Sequence, residues 1–233
     1  MEAHRIAETV ERFSPEQTLD AVLAVNPNAR VCTTSSFQAG AMVILHLLRK
    51  RIPDVPVLFL ETGYHFAETY EYRNRMANDW SLNLVNVLPT RTVHEQEAAL
   101  GVLHRSDPTL CCQLRKVEPL MRALEPFDLW FTGLRRDQSP SRKHLKKVEL
   151  HTLTTGKTLW KVNLIADWTW EQVRDYADAN GIPLLPQYAD GYLSIGCEPC
   201  TTVPSDPTNP RSGRWGGSKL ECGIHTVSRQ PKP

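Results

Sequence analysis

The sequence predicts an α/β fold, a mostly parallel central sheet with helices on both faces and a mobile C-terminal tail. Three observations lead to it. Short apolar, β-rich runs alternate with helical patterns along the chain. One run, Val55-Pro56-Val57-Leu58-Phe59-Leu60, has no polar alternation, as expected of a strand covered on both faces. From about residue 191, closely spaced prolines and glycines exclude long helix or strand.

In chain order, the first strand spans 30–34 and runs into a Ser- and Thr-rich stretch that opens a helix at 39–50. The buried run at 55–61 is the second strand, and a helix follows at 66–79. A third strand lies at 84–88. The next helix, 112–124, begins at a pair of cysteines. Strands at 129–133 and 159–162 follow. The helix at 170–180 is the best delimited: Thr169 and Gln172 have capping-box spacing, Trp170, Val173, Tyr176 and Ala177 share a face, and Gly181 then Pro183 end it. Residues 1–202 read as one α/β domain and 203–233 as an extended tail, with no internal repeat.

The 233 residues carry 27 basic and 26 acidic side chains, a formal charge of +1. Such balance argues against a generic nucleic-acid binder. No apolar run reaches the ~18 residues of a membrane span, and the N-terminal residues are polar and mixed, unlike a secretory signal. The expectation is a cytoplasmic enzyme or binding protein; a homo-oligomer stays open.

Six cysteines are the unusual feature. In a reducing compartment they do not form a disulfide framework. Cys111-Cys112 are adjacent and Cys197-Glu198-Pro199-Cys200 is a Cys-x-x-Cys, so these four ask for a soft metal or thiol chemistry. Their spacing suits zinc and a 4Fe–4S cluster equally, although adjacent cysteines are awkward for a single tetrahedral ion. Four plain buried thiols are the alternative. Cys32 falls in a strand and reads as core. Cys222, near Arg211, Arg214, Lys219 and His225, reads as a nucleophile, because nearby positive charge favours the thiolate; an incidental exposed thiol is the other reading.

Two further features suggest an anion. Thr33-Thr34-Ser35-Ser36-Phe37-Gln38-Ala39-Gly40 places hydroxyls and backbone N–H groups between a strand end and a helix start, where open α/β folds bind ligands. It matches no standard phosphate-loop motif and could equally be a Ser-rich cap. Basic residues follow the cysteine pair (Arg115-Lys116) and the strand at 129–133 (Arg135-Arg136). Six of the thirteen residues from 135 to 147 are Lys or Arg, a pattern that a solvated face also produces.

These stretches resemble the sulfonucleotide reductases, specifically the assimilatory adenylyl sulfate (APS) reductases that carry an iron–sulfur cluster. The resemblance rests on Phe59-Leu60-Glu61-Thr62-Gly63-Tyr64-His65, Cys111-Cys112-Gln113-Leu114-Arg115-Lys116, Phe131-Thr132-Gly133-Leu134-Arg135-Arg136-Asp137, Ile195-Gly196-Cys197-Glu198-Pro199-Cys200, Pro210-Arg211-Ser212-Gly213-Arg214-Trp215 and Glu221-Cys222-Gly223-Ile224-His225. It runs from about residue 30 to 225, and the first ~28 residues carry no recognised motif. It departs from the family in the serine loop, where residues 37–41 lack the acidic residue common there.

The resemblance implies an adenine nucleotide α-hydrolase-like fold. It implies a 4Fe–4S cluster on Cys111, Cys112, Cys197 and Cys200, and Cys222 as the catalytic nucleophile. The implied reaction is thioredoxin-dependent reduction of APS to sulfite and AMP through an S-sulfocysteine. Lys116, Arg211, Arg214 and His225 are then expected to compensate the charge of sulfate and phosphate, with Ser35, Ser36 and Gly133 as nucleotide contacts. The rivals are reduction of the 3′-phosphorylated nucleotide (PAPS), an ATP-pyrophosphatase-type thiolation enzyme, and a zinc-stapled interaction module.

Overall fold

The computed structural model describes residues 2–206, 209–219 and 221–225, with side chains from residue 5 onward. Met1, Pro207, Thr208 and Leu220, and the tail beyond His225, lie outside the described residues.

A six-stranded sheet is built from β1 (Val31–Thr34), β2 (Val57–Leu60), β3 (Leu84–Val87), β4 (Leu129–Phe131), β5 (Val148–Thr152) and β6 (Thr158–Val162). Their spatial order is β3-β2-β1-β4-β6-β5. All neighbouring pairs are parallel except β5–β6, an antiparallel hairpin at one edge. The apolar, β-branched runs became strands as expected, and the sheet is mostly parallel. The sequence reading missed β5, whose Val-Glu-Leu-His-Thr alternation marks an edge strand.

The helices are α1 (Glu2–Val10), α2 (Pro15–Ala24), α3 (Ala39–Arg49), α4 (Ala67–Asp79), α5 (Val93–Leu100), α6 (Leu103–Ser106), α7 (Pro108–Cys112), α8 (Glu118–Leu124) and α9 (Trp170–Ala179). The segment expected as one helix at 112–124 is a composite. Between α7 and α8 the chain makes a π-helical turn, Gln113–Val117, in which Arg115, Lys116 and Val117 are buried. In such a turn residue i+5 returns over residue i. The widened turn holds Lys116 in the wall of the cavity that Cys111 and Cys112 also border.

The capping box of α9 forms as its spacing demanded: Gln172 N–H donates to Thr169 Oγ1 and Thr169 N–H to Gln172 Oε1. The first 28 residues, silent as to motif, fold into α1 and α2. Ala7, Val10, Leu19 and Val22 join the core formed by α3 and strands β4 and β6. Ser14 caps α2 reciprocally with Gln17, and Pro15 opens the helix. A second cluster, around Phe37, Phe59, Tyr72 and Met76, packs α4 against β2. Cys32, Trp130 and Leu120 centre a third cluster on the opposite face. Cys32 is the core residue expected, and burial pushes its pKa up.

One contact fixes the sheet edge that matters. The end of β4 meets the start of α3 so closely that a Cβ on Gly133 would lie 2.9 Å from Gly40 C and Ala41 N. These are backbone atoms and cannot swing away. Gly133→Val should therefore lower stability by about 1–3 kcal/mol, as overpacking does, and thermal unfolding checks it. An unchanged melting temperature would mean that the helix can retreat.

Candidate active site

The carboxyl ends of β1, β2 and β4 open on one cavity of about 440 Å³. It lies where the strand order reverses between β1 and β4, the usual ligand position in open α/β sheets. Its size suits a nucleotide-sized ligand. Every catalytic or substrate-contact residue expected from the sequence lines it: Ser35, Ser36 and Gly133 at the strand ends, Lys116 from the π turn, and Arg211, Arg214, Cys222 and His225 from the tail.

The loop after β1 is shaped by Phe37, which takes φ +57° while its ring is fully buried. Its N–H donates to Ser35 Oγ. No side chain caps α3. Gln38 turns instead to Ser36, donating to its Oγ, and accepts from Ile195 N–H, which ties the loop to the segment ahead of Cys197. Gln38 stands in the stretch that lacks the family's acidic residue.

The tail is folded onto the body over the described residues. Thr201 and Arg214 form an isolated β-bridge, and Thr202 N–H donates to Gly213 C=O. The Arg214 guanidinium lies against Gly196, where a Cβ would fall 2.1 Å from its Nη2, so any other residue there would make the guanidinium shift. Trp215 is ringed by Arg211, Arg214 and Lys219, with the Arg214 guanidinium 4.7 Å from the ring centre. Glu221 accepts from Ser139 Oγ, Ser141 Oγ, and the Arg142 Nε and Nη2 at 2.7–3.0 Å. Arg211 stands 3.7 Å from the same carboxylate.

A second, smaller cavity adjoins the first. Cys111, Cys112, Cys197 and Cys200 all line it, together with Arg115 and Lys116. Lys116 and Thr62 border both cavities. Thr62 Oγ1 lies 3.3 Å from Cys197 Sγ. Among the described residues no three His, Cys, Asp or Glu side chains close around a single ion. Four soft donors line one shared space, a donor set whose chemistry suits zinc or an iron–sulfur group.

The electrostatics follow from this layout. Burial opposes the Lys116 ammonium, but Cys197, Cys112 and Cys222 outweigh it and its pKa stands above the ordinary lysine value. Burial likewise works against the Cys197 thiolate, yet Lys116, Thr62 and Arg214 hold its pKa below the usual thiol range. Burial pushes Cys111 up to about 11, with the other three thiols adding to it. Burial lowers Arg211 to about 10, so it stays cationic at neutral pH.

His225 departs from expectation. Its ring stacks on Trp130, with centroids 5.4 Å apart. Burial first, then Lys161 and Arg142, drive its pKa far below the ordinary histidine value. It faces the cavity as a neutral imidazole, not as the cation expected. Within the basic run Arg136 pairs with Glu11 and Lys147 with Asp167, and Lys143 and Lys146 are exposed; outside it, Arg115 donates to the Thr62 and Arg91 carbonyls. Only Arg135, paired with Asp137, and Arg142 reach the cavity. Arg142, Glu221, Gln38 and Trp215 escaped the sequence reading. The Glu221–Arg142 pair joins residues 79 apart and leaves no local pattern.

Fold and cavity together define an α/β protein whose cavity at the carboxyl edge of the sheet is lined by cations and a thiol, a lining suited to an anion. Residues 30–203 match the phosphoadenosine phosphosulfate reductase domain, and the chain belongs to that family. It is 47% identical to an adenosine 5'-phosphosulfate reductase of Mycolicibacterium smegmatis over 78% of this chain and 77% of that protein. It is 44% identical to one from Chelativorans sp. over 87% and 83%. Among solved structures it is similar to phosphoadenylyl-sulfate reductase from Candida auris, with a TM-score of 0.70, 26% identity, and 84% and 94% of the chains covered. The Candida glabrata FMN adenylyltransferase shares the fold alone, with a TM-score of 0.59 at 15% identity, over 88% and 66% of the chains. No helix of the described residues is long and apolar enough to cross a membrane.

Proposed function

We propose that this chain reduces APS to sulfite and AMP, with thioredoxin as the thiol donor and Cys222 as the nucleophile. The observation that carries the reading is the shared cavity: Cys222 opens onto the same space as Lys116, Arg211 and Arg214, at the strand ends that hold Ser35, Ser36 and Gly133. The relatives named as adenosine 5'-phosphosulfate reductases favour APS over PAPS.

The Cys222 thiolate attacks the sulfur of APS. The sulfur–oxygen bond to the phosphate breaks, AMP leaves with the electron pair, and an S-sulfocysteine forms. A thioredoxin thiolate then attacks Cys222 Sγ and releases sulfite, leaving a mixed disulfide. The second thioredoxin thiol resolves it, so two electrons pass from the dithiol to sulfur. Bringing a thiolate to an anion requires compensating charge, which Lys116, Arg211 and Arg214 supply from fixed, largely dehydrated positions. His225, uncharged, packs the tail against Trp130.

Cys111, Cys112, Cys197 and Cys200 would hold a 4Fe–4S cluster. When bound, it supplies fixed charge and order beside Lys116, and the thiol chemistry balances without any change in its oxidation state.

Protein purified without oxygen tests both readings. Incubation with APS alone should add the mass of one sulfonate, about 80 Da, to the peptide that spans Cys222, as a covalent intermediate requires. Metal analysis should find iron with acid-labile sulfide. A label on Cys200 would overturn the assignment of the nucleophile, and a colourless zinc protein would overturn that of the cluster.

A further inference from the structure

We propose that Glu221 is a positioning residue: when the tail is docked, its carboxylate aligns Arg142 and Arg211 along the cavity and holds Cys222 at the cavity wall. Delivery of the thiol and completion of the cationic wall are then one event. This rests on the proposed role of Cys222.

The geometry is unusual for a carboxylate beside an anion site. A lone acid there would repel the ligand. Glu221 is not part of the cavity wall; it stands behind Arg142 and Arg211, which are. Its two oxygens take a bidentate pair from Arg142 Nε and Nη2, at 2.9 and 2.7 Å, and Oε1 takes two serine hydroxyls at 3.0 Å. Both side chains of the pair are largely buried, at 11% and 14% exposure. Such charge-assisted forks are both strong and directional. They spend the acid's charge on orienting the guanidinium.

The three donors from 139–142 sit on the loop that leaves β4, in the body of the protein, while Glu221 belongs to the tail. The docked tail is therefore a condition for this arrangement. A second anchor lies three residues on from Cys222. There the His225 ring stacks on Trp130, and Lys161 Nζ donates to the His225 carbonyl at 3.5 Å. Cys222 hangs between the two anchors. Cys222 is half-buried, and the incoming donor thiol needs it more exposed, so the Glu221 fork, whose hydrogen-bonded charges can part and re-form, must release.

The test reads thiol exposure, independently of APS turnover. On the anaerobic holoprotein, the rate of iodoacetamide labelling at the Cys222 peptide is measured by mass spectrometry, with iron content and melting temperature as controls. Glu221→Gln should speed labelling about tenfold, the cost of losing one charge-assisted fork, and should weaken binding of AMP several-fold. Glu221→Asp should restore part of both effects. Unchanged labelling and unchanged AMP affinity in Glu221→Gln would overturn the proposal. Should that variant lose iron or fold, the Ser139→Ala/Ser141→Ala double variant takes its place. It removes two of the donors, and no rise in labelling there would overturn the proposal equally. A protein that labels as expected but releases no sulfite from APS would sink the reductase reading and leave the positioning role intact.

Discussion

Cys222→Ser should abolish sulfite release from APS and thioredoxin, with a loss on the order of 10⁴-fold or more, as removal of a nucleophile causes. Serine keeps the size and the backbone but offers a hydroxyl that is scarcely ionised at neutral pH, so no S-sulfo intermediate forms. The iron content should not change, because Cys222 lines the large cavity and is not among the residues bordering the four-thiol cavity. That separation makes the experiment discriminating. A variant that loses iron along with activity would place Cys222 in the metal-binding set, and one that keeps turning over would remove it from the chemistry.

Lys116→Gln should lower kcat/KM by about 10²–10³-fold, the usual effect of deleting one preorganised donor to developing negative charge. Lys116 is the charged side chain that borders both cavities, and Cys197, Cys112 and Cys222 together raise its pKa against the effect of burial. Glutamine retains hydrogen-bonding capacity and most of the length, so the loss isolates the charge. Lys116→Arg should rescue little, since a planar fork cannot occupy the compact position of an ammonium. Steady-state kinetics on iron-replete protein gives the answer. A fall of less than tenfold would show that Arg211 and Arg214 meet the sulfate without Lys116.

The chemistry was legible in residue types more than the geometry was. Soft donors announce themselves, so Cys111, Cys112, Cys197 and Cys200 could be grouped from spacing. Apolar β-branched runs gave β1 to β4 and β6. The edge strand β5 was hidden by its charged neighbours, Lys146 and Lys147 before it and Glu149 within it. Helix α2 carried a readable Ser14-Pro15-x-Gln17 start that went unread beside the louder motifs. The burial of Arg214 depends on bare backbone at Gly196, and the Glu221 clamp on a contact between distant segments; no short-range pattern encodes either. The lowered pKa of His225 could not be foreseen either, since it is set by burial first and then by Lys161 and Arg142, far away in the chain.

The π turn at Gln113–Val117 carries a consequence for how the chain can vary. Its wide loop holds one residue more than a regular helix would need, and Lys116, inside it, lines the cavity that the four sulfurs border. Deleting a single residue there would let the helix relax into its ordinary winding and swing the ammonium away from them, with little harm to folding. A one-residue deletion between the cysteine pair and Glu118 should therefore cost chemistry more than stability.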